Sequence, residues 1–329
     1  MRTRLSPRPA TTHGGASRLP IDLSASLNPL GPSPIALQAA RSAELGSYPR
    51  ADAHPLASAA AARHGLEQSW VVPVAGASWG LWLCLLAYAG GRRCLALGPC
   101  FGEYRRLTEI SGGVYSESEA ELEQALKAEP EVCLLGNPAN PTGAALEADR
   151  LEDACNRHAG TLFIVDEAFA AFAPAGTSLI DRRSPPSNAI VVRSLTKELG
   201  LPGLRMGYLV TAELRARSLR EMQPPWPLSA PALAAGAAGC SDQPHIQGGA
   251  EVARRHLALM AQALGQIGAE VRPSSANYLL CRAPTLLGDL AAEGIAGRDC
   301  ASFGLPGWVR LAAPSPGELP AVLKAIQRG

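Results

Sequence analysis

The sequence of 329 residues lacks what a metal or disulfide scaffold requires. Its eight cysteines are scattered, no two of them form a Cys-x-x-Cys pair, and the six histidines include no His-Glu-x-x-His. Structural zinc and a cysteine framework are therefore not expected, and the thiols read as small buried hydrophobes in a reducing compartment. An excess of one charge is missing too, with 30 basic against 29 acidic side chains. That balance removes the footprint of a duplex-binding protein and leaves room for a local anion pocket. No apolar run follows the basic start Met1-Arg-Thr-Arg4 within the first 20 residues, so no signal peptide is expected and the cytoplasm is the expected location.

What is present is a large apolar fraction, 47% hydrophobic with 18% charged, too high for a disordered chain. The length suits one large domain and a smaller one. No charge appears from Gln68 to Gly91, a stretch long enough to be weighed as a membrane span. Pro73, Gly76, Ser78 and Gly80 interrupt it, which favours a strand at Val71–Val74, a turn at Ala75–Ser78 and a buried helix at Trp79–Ala89.

The first 50 residues, rich in Pro, Ser and Gly, read as an extended arm. An alanine-rich helix is expected from Pro55 to His64. Short apolar runs follow at Val71–Val74, Cys94–Leu97, Val132–Leu135, Leu162–Val165, Ala189–Val192 and Tyr208–Val210. Helical segments near 79–89, 101–111, 119–128 and 147–158 separate them, an alternation that predicts a predominantly parallel sheet covered by helices. Gln223-Pro-Pro-Trp-Pro227 marks a boundary. Helices near 229–241 and 247–267, runs at Val271–Arg282 and Trp308–Ala312, and a last helix near 317–327 then read as a small α+β domain. The expected division is 1–44 for the arm, 45–228 for the large domain and 229–329 for the linking helices and small domain.

Four segments in fixed order carry the chemistry. Asn137-Pro-Ala-Asn140-Pro-Thr-Gly143 follows one strand, Asp166-Glu-Ala-Phe169 ends the next, and Ser194-Leu-Thr-Lys197 ends the one after. Pro202-Gly-Leu-Arg205-Met-Gly-Tyr208 comes last. Residues at the carboxyl ends of parallel strands converge on one crevice, so Asn140, Asp166, Ser194, Thr196, Lys197 and Arg205 should meet. A buried lysine near an arginine loses charge and becomes a nucleophilic amine. Ser194, Thr196 and Arg205 suit a phosphate, and Asp166 can keep a heteroaromatic nitrogen protonated. Pyridoxal phosphate satisfies all of these together. Each residue alone has a plainer reading: Asp-Glu after a strand as a helix cap, an isolated lysine as solvated surface.

Gly76-Ala-Ser78-Trp-Gly80 matches two motifs. As Gly-x-Ser-x-Gly it is the nucleophile elbow of a hydrolase, and as a turn into a helix it offers the amides of Ala77 and Ser78 to a phosphate. The hydrolase reading leaves Lys197 and Arg205 unexplained and finds no suitably placed late histidine.

With these motifs the chain resembles the fold-type I pyridoxal-phosphate enzymes of the class I/II aminotransferase group. The resemblance implies a mostly parallel sheet sandwiched by helices, with a smaller α+β domain, and pyridoxal 5′-phosphate as cofactor. It implies that Lys197 bonds the cofactor aldehyde, Asp166 pairs with the pyridine nitrogen and Asn140 binds the ring hydroxyl. Gly76, Ala77, Ser78, Ser194, Thr196 and Arg205 would surround the phosphate, and Phe101 would stack on the ring. In the homodimers of this group a tyrosine reaches the other subunit's phosphate, and Tyr48 matches it.

A narrower resemblance, to the threonine-phosphate decarboxylases of cobalamin biosynthesis, rests on other residues. His13-Gly14-Gly15 matches a His-Gly-Gly motif, and Asp22-Leu-Ser-Ala-Ser-Leu-Asn28-Pro-Leu-Gly31 matches a second segment, with Ser26 where Asn is usual. Tyr48-Pro49, Ala276-Asn-Tyr-Leu-Leu280 and Arg298-Asp-Cys-Ala-Ser-Phe303 also correspond. It implies that Arg310 holds a substrate carboxylate while Arg298, His13 and Asn28, with Gly14 and Gly15, face a substrate phosphate. The substrate would be a small phosphorylated amino acid, L-threonine O-3-phosphate, decarboxylated to (R)-1-amino-2-propanol phosphate, with no nucleic-acid or membrane partner. Histidinol-phosphate aminotransferase, built on the same core, is the alternative reading, and a non-catalytic cofactor-binding scaffold is a third.

Overall fold

A computed structural model describes residues 13–15, 17–181, 184–283 and 285–328. The arm is less extended than expected. It contributes the short strand β1 (Ile21–Asp22) and then a helix, Pro34–Arg41. Ser33 caps that helix by accepting from the Ala36 amide at 3.2 Å, and Pro34 begins it with φ already suited to a helix. The capping signal outweighs the Pro- and Ser-rich composition. The helix packs on Ala230–Gly239.

Seven strands make the central sheet: β2 (Val71–Val74), β3 (Arg93–Leu97), β4 (Val114–Ser118), β5 (Val132–Gly136), β6 (Leu162–Asp166), β7 (Ala189–Ser194) and β8 (Gly207–Thr211). Their order is β2-β8-β7-β6-β5-β3-β4, with β8 antiparallel to both neighbours and the other adjacent pairs parallel. Apolar runs in the inner strands follow from burial on both faces. Alternate residues divide between two cores. Leu135, Phe163, Val165 and Val191 face one, and Leu134, Ile164, Ile190 and Val192 face the other. Edge strand β4 escaped the sequence reading because Val114 and its neighbours are largely exposed and show no apolar run.

Beyond the long helix Gln243–Gln266 lie β9 (Glu270–Arg272), β10 (Tyr278–Arg282), β11 (Ile295–Ala296), β12 (Arg298–Asp299) and β13 (Trp308–Ala312). β12, β13, β10 and β9 form an antiparallel sheet in that order, over a separate core that includes Leu257, Met260, Leu279 and Leu311. β1 of the arm pairs with β11 in a separate two-stranded sheet, and the Ala312 amide of β13 donates to the Leu23 carbonyl at 2.9 Å, which ties the amino-terminal segment to this region. Among the described residues no helix is long and apolar enough to cross a membrane. All eight cysteines are buried and unbridged.

Candidate active site

The carboxyl ends of β5, β6 and β7 open on one cavity of about 510 Å³. It is lined by residues from three sources: the large sheet (Asn140, Asp166, Lys197, Arg205), the second sheet (Arg298, Arg310) and the arm (His13, Ser24).

One end is built for an anion. β2 leads through Gly76, whose φ of 85° belongs to the left-handed region, into the helix Ala77–Tyr88. Ala77 and Ser78, whose amides have no partner within the helix, both line the cavity. Gly76 itself does not line the cavity. Its role is spacing, since a Cβ there would stand 2.8 Å from Arg205 Nη2. Arg205 adopts φ 57° and donates to the Pro202 carbonyl at 3.0 Å. Ser194 and Thr196 complete the group, their hydroxyls 2.7 Å apart.

The centre holds a carboxylate and an amine under strong electrostatic pressure. Burial pushes the Asp166 carboxyl up to about 6, against the opposing pull of the Ala168 amide, the Tyr104 hydroxyl and Lys197. The amide donates to Oδ1 at 3.1 Å and Tyr104 Oη to Oδ2 at 3.0 Å. Burial, then the positive charges of Arg310 and Arg205, bring the Lys197 amine down to about 8. Its Nζ lies 5.7 Å from the centre of the Phe169 ring, which itself meets Tyr278 edge-on. A lysine so shifted has a neutral fraction available near neutral pH, as a nucleophile or proton carrier requires.

The two asparagines of the Asn-Pro-x-Asn segment do different work. Asn137 fixes the loop, donating to the Leu146 and Thr177 carbonyls and accepting from the Leu146 amide. Asn140 faces the cavity and accepts from Arg310. Arg310 also donates to the Ser24 carbonyl at 2.8 Å, while its buried Nε has no hydrogen-bond partner. β12 sets Arg298 directly across from Arg310. Like charges in register repel, an arrangement that suits a site for anions. Arg298 donates to Ser302 Oγ at 2.7 Å. The arm closes the remaining side. His13 Nε2 lies 3.5 Å from Glu103 Oε1, with its ring 5.7 Å from that of Phe101. Gly14 packs so tightly that a Cβ would fall 2.1 Å from the Ser24 carbonyl oxygen, and the Gly15 amide donates to Ser24 Oγ.

Besides Gly76, Asn28 and Gly15 stand elsewhere than the sequence reading put them, whereas Tyr48 was expected at the phosphate of a second subunit. Asn28 does not line the cavity. Its side-chain amide donates to the Glu198 carbonyl at 2.8 Å, so it braces the turn that carries Lys197. Gly15 lies just outside the lining. Tyr48 is 81% exposed, away from its own chain's cavity, with its ring 4.7 Å from that of Trp226. The sequence reading missed Tyr104, Tyr278, Ser24 and Ser302. Tyr104 lies three residues beyond Phe101, but no spacing rule marks a phenol there as the partner of Asp166.

The matching family model, described as aminotransferase class I and II, spans residues 20–326. The chain is 28% identical to a histidinol-phosphate aminotransferase of Akkermansia muciniphila, over 91% of this chain and 86% of that protein. It is 32% identical to a threonine-phosphate decarboxylase of Salmonella typhimurium, over 93% of this chain and 90% of that one. The solved histidinol-phosphate aminotransferase of Sinorhizobium meliloti in complex with pyridoxal-5′-phosphate superposes with a TM-score of 0.85 at 19% identity, covering 94% of this chain and 90% of that one. The chain belongs to the class I and II aminotransferase family and has the fold-type I pyridoxal-phosphate transferase fold. Pyridoxal 5′-phosphate is its cofactor, and the cavity fits it. An anion cradle, a buried carboxylate and a depressed lysine stand on one wall, and Phe101 offers an aromatic face.

Proposed function

We propose that the protein is a decarboxylase that converts L-threonine O-3-phosphate to (R)-1-amino-2-propanol phosphate and carbon dioxide, a product destined for cobalamin assembly. The observation that carries this reading is the closure of the cavity by His13 and Gly14 beside Arg298, with Arg310 as a second, separate cation. One substrate with a phosphate and a carboxylate answers both. Arginine suits each anion because its planar fork pairs with two oxygens at once.

When bound, pyridoxal phosphate supplies an aldehyde for the substrate amine and a ring that accepts an electron pair. Asp166 would hold a proton on the ring nitrogen, and Asn140 would bind the ring oxygen. Phe169 brings no hydroxyl to that oxygen, unlike a tyrosine. The amides of Ala77 and Ser78, with Ser194, Thr196 and Arg205, would bind the cofactor phosphate, and Phe101 would offer its face to the ring. Arg310 would grip the substrate carboxylate and orient the bond from Cα to it for cleavage, so that carbon dioxide would leave and its bonding electron pair would stay at Cα to take up a proton. Lys197 Nζ then delivers a proton to Cα. Arg298, Ser302 and His13 bind the substrate phosphate. Tyr48, exposed beside Trp226, is assigned to the cofactor phosphate of a second subunit in a homodimer.

The second reading, a histidinol-phosphate aminotransferase, draws on the Akkermansia relative and uses the same cofactor wall. The two are separated by incubating holoenzyme with L-threonine O-3-phosphate and no 2-oxo acid. Sustained carbon dioxide release supports the decarboxylase. Turnover that requires a 2-oxo acid acceptor supports the aminotransferase.

A further inference from the structure

Behind the wall of the cavity lies a second set of charges. Asp166, Ser194 and Lys197 line the cavity, and the residue beside each one, Glu167, Arg193 and Glu198, takes part in a buried ionic chain. Adjacent residues on an extended strand point to opposite sides, which divides Arg193 from Ser194 on β7; Glu167 directly follows β6, and Glu198 follows Lys197 on the short helix Leu195–Glu198. Arg193 Nη1 lies 3.1 Å from Glu167 Oε2, and its Nη2 lies 3.6 Å from Glu198 Oε2. Arg63 pairs with Glu198 through both terminal guanidinium nitrogens, Nη1 and Nη2. Ser178 Oγ and the Leu179 amide donate to the carboxylate of Glu167. Arg193, Glu167 and Glu198 are each at most 5% exposed.

The other groups at the chain are neutral. His64 shares a 2.7 Å hydrogen bond with the Tyr208 hydroxyl, and Tyr208 sits across from Arg193 in the β7–β8 pairing. Burial, then Arg193 and Arg63, hold His64 down to about 2. Two guanidinium groups therefore face two carboxylates with no surplus charge.

We propose that Arg193 is a positioning residue for the reaction: by bridging Glu167 and Glu198 it fixes the spacing of Asp166 and Lys197 across the ends of β6 and β7. The planar fork of arginine reaches two carboxylates at once, whereas a lysine ammonium is a single point of charge. Asn28 adds a second hold on the same turn through the Glu198 carbonyl, and its own amide donates to the Lys197 carbonyl at 3.0 Å. The inference rests on the assignment of Asp166 and Lys197 and is indifferent to whether carbon dioxide or a proton leaves Cα.

The test compares holoenzyme carrying Arg193→Lys, Arg193→Gln, Glu198→Gln or Arg193→Gln/Glu198→Gln with Lys197→Ala as control. Thermal melting establishes that each variant folds. Turnover and the visible absorbance of bound cofactor during dilution are then followed. The bridge variants are expected to lower kcat by about tenfold to a hundredfold, the scale of a small misplacement of reacting groups, with KM changed much less. They are also expected to release cofactor faster, and the double variant should do no more damage than the worse single one. Arg193→Lys, which keeps the buried charge, carries the test if Arg193→Gln fails to fold. Folded bridge variants with wild-type kcat and cofactor release would overturn the positioning role. Retained colour and turnover in Lys197→Ala would instead overturn the assignment of the site.

Discussion

The two sides of the strand ends differ although they are built from neighbouring residues. On the cavity side, Asp166 is held well above the ordinary carboxylate range, Lys197 well below the ordinary amine range, and Arg310 keeps a buried Nε without a partner. On the other side, Arg63, Glu198, Arg193 and Glu167 pair in a closed chain. The comparison separates two uses of buried charge. Groups outside any salt bridge are available to a ligand, and groups paired in salt bridges hold the frame that aims them.

The sharpest way to break the comparison is to remove one charge from each side and measure the apoprotein by denaturant unfolding. Glu167→Gln takes a carboxylate away from Arg193, and a broken buried pair costs about 3–5 kcal/mol. Burial penalises both carboxylates, but Asp166 has no salt bridge to lose, so Asp166→Asn should cost far less or stabilise. Equal losses would erase the distinction.

A somewhat smaller effect lies in pH. The folded Asp166 carboxyl titrates near 6 rather than 3.8, so the native state binds more protons than the unfolded one in that interval. Its contribution to stability is present at low pH and lost as pH rises from about 4 to 6. Lys197 titrates near 8 rather than 10.5, so its contribution is present at high pH and lost as pH falls from about 10.5 to 8. Each limb is worth about 3 kcal/mol. Apoprotein unfolding curves across pH should show both, with Asp166→Asn removing only the acid limb and Lys197→Met only the alkaline one.

The smallest effect belongs to Tyr104→Phe. It withdraws the 3.0 Å hydrogen bond from the Asp166 carboxylate and should move that carboxyl up by about one pH unit, the scale of one bond to a charged group. Carbon-13 NMR of the labelled carboxyl reads the shift directly.

Much of the cavity side was legible in the sequence, and almost none of the other side was. Asn140, Asp166, Lys197 and Arg205 announce themselves by following short apolar strands in a fixed order. Composition sharpens one of them, for the chain contains only three lysines, Lys127, Lys197 and Lys324. The paired side has no such punctuation. Arg63 and Glu198 meet across 135 positions, and a glutamate beside a lysine reads as solvated surface until the fold buries it. Asn28 shows the same limit. Its motif was visible, but whether its amide turned to the cavity or to the Glu198 carbonyl depended on how the arm packs.

The reaction itself turns on which bond at Cα is broken. The most direct measurement follows L-threonine O-3-phosphate carrying deuterium at Cα through turnover by the holoenzyme. Loss of carbon dioxide leaves that Cα–deuterium bond intact, so the account predicts an aminopropanol phosphate that retains the label and gains one solvent proton. Release of the label into water, with formation of a 2-oxo acid from the substrate, would contradict it.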